Sequence, residues 1–291
     1  MLVCLMWGTA ANADTVYVST YSYGYCGVNT ISHDGTVDLF ANLPNYDDAF
    51  GMAFDGQHNL YVSDSRQWGI ISKITPTGSI SPFATTGYYG SAGLAFGRDG
   101  YLYAAAGDAI LKIAPDGTTF DFATGLRRLM GLAFDRDGYL YAAAGDAILK
   151  IAPDGTTNQF ATGLYNLPWG LAIDSNNDLY VANCGDGTIV KIAPDGTTSQ
   201  FATGLFGPTG LAFDSIDNLY VANQGINTIS RITPAGAVSV FATGQNSPFS
   251  LAIETPEPSS LTLLLLGGGL LARKQKKRSV GYLHEAKSGK K

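Results

Sequence analysis

The chain of 291 residues is 45% hydrophobic and 14% charged, with a formal net charge of −6. That charge is polarised: residues 14–256 hold 22 Asp/Glu against ten Lys/Arg, a net of −12, and residues 273–291 hold eight Lys/Arg. So acidic a body repels nucleic acid and anionic lipid, which excludes both as partners of the main domain.

Residues 1–13, MLVCLMWGTAANA, form a short apolar run that closes on the small-x-small pattern of a secretory cleavage site at Ala11-Asn12-Ala13. A signal peptide removed before Asp14 is expected. The run lacks the basic residues that usually open such a peptide, as expected if the true start lies upstream.

From Gly51 onward a unit recurs, anchored by a G/S-[LM]-A-[FI] pattern at Gly51, Gly93, Gly131, Gly170, Gly210 and Ser250, at intervals of 42, 38, 39, 40 and 40 residues. Alternating apolar positions in the fourth copy predict four strands, over 169–174, 178–183, 188–193 and 198–202. Asn and Asp fill the first turn, and Pro194-Asp195-Gly196 supplies the third, with Pro setting φ and Gly accepting positive φ. Leu171, Ile173, Tyr180, Ile189, Ile192 and Phe201 recur in register and are assigned to the core, with small residues such as Gly170 and Ala182 for close approach of sheets.

One such sheet cannot bury both faces, so copies must stack. The last copy stops after one strand, and what it lacks stands at the other terminus: TVYVST (15–20), residues 30–32 and TVDLFA (36–41). The two ends are expected to complete one sheet. The fold class is therefore all-β, a closed six-bladed β-propeller over residues 14–254, because closure removes exposed sheet edges. Blades two and three (93–126 and 131–164) agree at 31 of 34 positions and differ at Gly97/Asp135, Phe120/Asn158 and Asp121/Gln159. Such copying argues that much of this surface is scaffold.

The pattern GLAFD–x–DNLYVAN–x–ISRITPAG–x–FATG resembles the NHL-repeat group of six-bladed propellers and, more loosely, the streptogramin lyase and gluconolactonase-like propellers. Those groups include metal-dependent enzymes and plain binding modules. The resemblance implies a His/Glu or Glu/Asn/Asp set for an enzyme, and neither set can be placed residue by residue.

After Glu254 the composition changes. Residues 255–260 form a Pro/Ser linker, 261–272 (LTLLLLGGGLLA) are uncharged, and 273–278 are RKQKKR. Pro256-Glu257-Pro258, an apolar stretch and a basic cluster in that order resemble the PEP-CTERM sorting signal, which implies an exosortase-type membrane peptidase as partner. Twelve helical residues span about 18 Å, short of a ~30 Å hydrocarbon core, so segment 261–291 makes a transient membrane contact. Basic residues after the span stay cytoplasmic, which puts the propeller outside, at the cell surface or secreted.

No catalytic constellation can be assembled. His33 and His58 fall in turns on one side, His284 in the tail, and most of the 21 Asp of residues 14–256 belong to turns. No metal site and no cofactor are assigned, since the ladder of oxygen ligands a calcium loop needs is missing. Cys26 and Cys184 fall in what read as equivalent loops of blades six and four, where a disulfide, two separate thiols or an intermolecular contact all fit.

The expected ligand face is the mouth formed by loops entering the first strand and leaving the second. Phe50, Met130, Trp169 and Phe249 stand there, with Tyr46, Tyr88, Tyr89 and Tyr165 nearby. The position ending the second strand is polar in Asp64, Asn183, Asn223 and Thr20, but Ala106 and Ala144 in the duplicated pair. Asp64, Trp169, Asn183, Asn223, Tyr46, Tyr89 and Phe249 are therefore candidate ligand-binding residues, for a glycan or protein segment. The alternative is a metal-dependent lyase or lactonase using Asp64, Asn183, Asn223 or Glu254 on that same mouth.

Overall fold

The computed structural model describes residues 14–22, 25–43, 49–64, 69–88, 93–164 and 168–254; the segments expected to be a signal peptide, a linker and a sorting signal lie outside the described residues. Six four-stranded antiparallel sheets are arranged as blades around an axis. In blade four the strands are Pro168–Ile173, Leu179–Asn183, Thr188–Ile192 and Thr198–Ala202, within a residue of the alternation in the sequence.

Burial sorts the strands from axis to rim. In blade four the second strand, Leu179–Asn183, is buried at every position, while the outer strand begins with three exposed residues. The first strands form the inner ring, each beside the first strand of the next blade. There the glycine of the repeat is a steric necessity: a Cβ on Gly170 would lie 2.1 Å from the Thr209 carbonyl oxygen.

The sixth blade joins the two ends of the described chain. Pro248–Glu254 pairs antiparallel with Thr15–Ser22, in the register Val16 to Ile253, and Tyr25–Ile31 and Val37–Leu43 complete the sheet. The strand expected over 30–32 starts instead at Tyr25, because Cys26 and Val28 alternate into the core. Cys26 is therefore a buried strand residue, whereas Cys184 follows a second strand. The two are not in equivalent loops.

Each seam between blades is built on a Tyr from the second strand. Tyr180 meets Phe201 of its own outer strand at 4.8 Å and Phe213 of the next blade at 4.9 Å, both edge to face. The outer-strand Phe sits at a register shift in all six blades: Ile189 pairs with Ala202 but Val190 with Gln200, leaving Phe201 as the extra residue. The bulge turns that ring inward onto Tyr, so Phe201 reaches the seam by breaking the alternation.

Candidate functional site

At the mouth, Phe50, Met130, Trp169, Thr209 and Phe249, each just before the repeat glycine or its Ser250 counterpart, line the axis. Three of these residues are aromatic: Phe50 and Trp169 stack at 6.0 Å with a 20° tilt, while Phe249 meets Phe50 at 4.1 Å and Trp169 at 5.0 Å. Rings from blades one, four and six thus close the axis, all half-buried. They line an axial cavity of about 100 Å³ together with Met130, Thr209 and the inner-strand glycines. Thr209, the fifth-blade counterpart of Trp169, is buried and donates to the Phe249 carbonyl at 2.9 Å.

Of the candidate residues, the structure brings Trp169 and Phe249 together on this cavity. Asp64, Asn183 and Asn223 end their second strands buried and stand outside its lining. The Asn223 amide donates to Ser230 Oγ at 2.9 Å and Thr228 Oγ1 at 3.3 Å, while the Oδ1 atoms of Asn183 and Asn223 have no hydrogen-bond donor among the described residues. Tyr46 and Tyr89 lie outside the described residues.

Glu254 requires a correction. It ends the first strand of blade six opposite Thr15, whereas Pro248 at the other end pairs with Thr20. Asp64, by contrast, pairs with Ala49 at the start of its inner strand. Glu254 is therefore at the opposite face of the propeller from Asp64, Asn183 and Asn223. Strand polarity decides this, and the split blade hid it.

On that opposite face the repeat carries a trio absent from the sequence reading. In blade three the turn residue Asp135 accepts the N–H groups of Asp137 and Tyr139 at 2.9 and 2.8 Å and the Tyr141 hydroxyl at 3.3 Å. Lys150 stands 3.7 Å from its carboxylate and 5.1 Å from the centre of the Tyr141 ring. Lys73 repeats the arrangement on Asp55 in blade one, while Lys112 and Lys191 lie by the same Tyr in blades two and four but pair with Asp99 and Asp178. All four lysines of the propeller are committed in this way. The cross-strand register (Tyr141 opposite Lys150, Tyr180 opposite Lys191) is the signal that could have found it.

Neighbouring turns are also clasped to one another. Arg136 N–H donates to Asn177 Oδ1 at 3.3 Å, Ser175 N–H to Asp217 Oδ1 at 3.0 Å, and Ser215 N–H to Asp14 Oδ2 at 2.6 Å. His58 closes the ring onto Glu254 at 3.0 Å. Asn177, Asp217 and His58 all take positive φ, a conformation uncommon without glycine, which the clasp holds in place. The equivalent residue is Gly100 in blade two and Gly138 in blade three, so the seams before these blades lack the clasp.

The Pro-Asp-Gly turns behave as the sequence implies. Asp116, Asp154 and Asp195 each accept the N–H two residues on at 2.9 Å, and these bonds hold their carboxyls below the ordinary carboxylate range. Among the described residues no three His, Cys, Asp or Glu side chains converge as a metal site would require. Burial pushes the Cys184 thiol up, away from reactivity.

The NHL-repeat family model matches residues 165–192, which take in the first three strands of blade four. No curated protein sequence is significantly similar to the chain. Among solved structures, a chain of a nidogen–laminin complex superposes with a TM-score of 0.74 at 18% identity, over 82% of this chain and 98% of that one. Virginiamycin B lyase from Staphylococcus aureus gives a TM-score of 0.61 at 16% identity, over 81% and 87% of the respective chains. A structure named for gluconolactonase gives 0.64 at 18% identity, over 73% and 83%. At such identities the likeness is one of fold.

Proposed function

We propose that this propeller is an exported, non-enzymatic binding module that takes a glycan or an extended protein segment on its aromatic mouth. The observation that carries the reading is the convergence of Phe50, Trp169 and Phe249 at one end of the axis. Half-buried rings at a mouth offer apolar faces and edges, suited to a sugar face or an apolar side chain. The cavity beneath them, about 100 Å³, is smaller than the pockets of roughly 300 Å³ or more that engulf small substrates. Glu254 and His58 are engaged with each other on the opposite face, which separates them from that platform.

Export and sorting form the second half of the proposal: an exosortase-type peptidase acts at Pro256-Glu257-Pro258 and leaves an acidic propeller at the cell surface or released. The test of binding is a glycan array and a peptide library screened with the purified propeller, with and without chelator, against Trp169→Ala. Binding that is lost in the variant and indifferent to chelator supports the module. Chelator-sensitive turnover of a lactone or cyclic depsipeptide overturns it in favour of a metal-dependent enzyme. The test of sorting is the intact mass of the protein from an envelope fraction. An unprocessed cytoplasmic chain refutes it.

A further inference from the structure

The copied pair of blades carries a second cavity. Between blades two and three, on the face opposite the aromatic mouth, lies a cavity of about 300 Å³ walled by Arg98, Asp99, Tyr103, Phe122, Phe134 and Arg136. Two departures from the repeat open it. Gly97 replaces the turn Asp of the repeat, so that position carries no side chain and the space beside Tyr103 is reached instead by the carboxylate of Asp99. Gly138 replaces the clasping residue, so among the described residues no side chain of that turn clasps the turn before it. Asp99 has moved into the missing role, accepting Tyr103 OH at 2.9 Å and lying 2.7 Å from Lys112.

The charges around it are unusual for this chain. The lysines are committed to Tyr rings and carboxylates, while Arg98 and Arg136 are exposed and their guanidinium groups make no hydrogen bond or ion pair among the described residues. With Asp99 neutralised by Lys112, the open charges at the cavity are these two arginines and Asp137. The local balance is therefore positive by one unit, in a domain that is otherwise strongly acidic. The floor is aromatic, from Tyr103, Phe122 and Phe134.

We propose that this cavity binds a hexuronic acid residue, a sugar ring bearing one carboxylate. The carboxylate answers the guanidinium pair, which favours planar bidentate acceptors. The apolar C–H face of the sugar lies on the aromatic floor, and ring hydroxyls supply donors for Asp137. A single net positive charge matches a monoanion better than a dianionic phosphate. An aromatic acid, polar at one end alone, leaves Asp137 unmatched. This site is distinct from the aromatic mouth and stands or falls apart from it.

The experiment is calorimetric titration of the full chain with digalacturonate, beside cellobiose, benzoate and glucose 6-phosphate. Digalacturonate is expected to bind more tightly than cellobiose, which lacks the carboxylate, and to lose that margin in the arginine variants. Arg98→Gln and Arg136→Gln are each expected to weaken binding by about tenfold or more, the effect of losing a charge-assisted hydrogen bond. Gly97→Asp restores the repeat residue: its Cβ would lie 2.5 Å from Asp99 Oδ1 and 2.9 Å from the Tyr103 ring, so both must shift to admit it, and binding is expected to be lost. If that variant does not fold, the two arginine variants decide. Arg127→Gln, in the connector on the other face, is expected to leave binding unchanged. The proposal is overturned by no binding at millimolar digalacturonate or by equal binding of cellobiose. Tighter binding of benzoate or the phosphate, or indifference to both arginine variants, also overturns it.

Discussion

His58 Nδ1 stands 3.0 Å from Glu254 Oε1, tying the first turn of blade one to the last residue of the closing strand. Glu254 holds the place that Asp174 holds in blade four, and like Asp174 it accepts the hydroxyl of the core Tyr, here Tyr17 at 2.9 Å. Burial, then the bond to Glu254, pushes that hydroxyl well above the ordinary tyrosine range, so it remains a donor.

Glu254→Ala should therefore destabilise the propeller by about 1–3 kcal/mol, the cost of leaving the Tyr17 hydroxyl buried without an acceptor. The His58 arm is more than a third exposed and adds no more than about 1 kcal/mol. Urea unfolding measures this, and an unchanged midpoint would mean that the contact does not hold the ring. Deleting residues 14–43 is a harsher change: it removes three strands and leaves Pro248–Glu254 as an unpaired edge. Loss of cooperative unfolding is expected.

Acid should weaken the fold through the turn carboxylates. Asp55 and Asp99 are both held below the usual carboxylate range: burial opposes this, and hydrogen bonds from Asn59 to Asp55, and from Lys112 and Tyr103 to Asp99, outweigh it. A depressed folded value means the stabilisation is complete above the unfolded pKa of about 3.9 and is lost as pH falls through the folded value. The urea midpoint should thus hold to about pH 5 and fall below about pH 4. Asp99→Asn should flatten that fall. An equal slope in the variant would assign acid lability elsewhere.

Gly170→Ala should cost roughly 1–3 kcal/mol, because the new methyl meets the Thr209 carbonyl at 2.1 Å and backbone cannot step aside as a side-chain tip would. Gly56 is the control. Its Cβ would meet nothing within 4 Å, so Gly56→Ala should stay within about 0.5 kcal/mol of the parent. Paired thermal melts decide whether close blade approach, and not glycine itself, is what the axis requires.

The blades were legible because the repeat restates its strand pattern at near-constant spacing, and the missing strands of the last copy could be found at the other terminus. Three features were hidden, each for a physical reason. Phe201 lies at a bulge, and alternation does not reveal an extra residue that turns a ring inward. The clasping residues Asn177, Asp217 and His58 look like ordinary turn formers, since their partners are backbone N–H groups or side chains of another blade. Glu254 read as a mouth residue because the strand it ends is split from its sheet by most of the chain. At the mouth, the aromatic positions were visible from their place before the repeat glycine, but nothing local says that Phe50 and Trp169, from opposite blades, stack on one another.

That stack separates two roles for aromatic residues in one repeat. Tyr141 is 3% exposed, packs on Phe160 at 5.0 Å and donates to Asp135, so Tyr141→Ala should cost about 3–5 kcal/mol of stability. Tyr141→Phe, which keeps the ring, should cost only about 1 kcal/mol. Trp169 is half-buried at the end of the axis, and when it is removed Phe50 and Phe249 still meet at 4.1 Å. Trp169→Ala should therefore leave the melting temperature near that of the parent while weakening ligand by about 2 kcal/mol, roughly thirtyfold. Thermal melts and ligand titration of the same three variants give the answer together. Should Trp169→Ala lower stability as Tyr141→Ala does, and leave binding untouched, the three rings are a plug for the axis and the ligand face lies elsewhere.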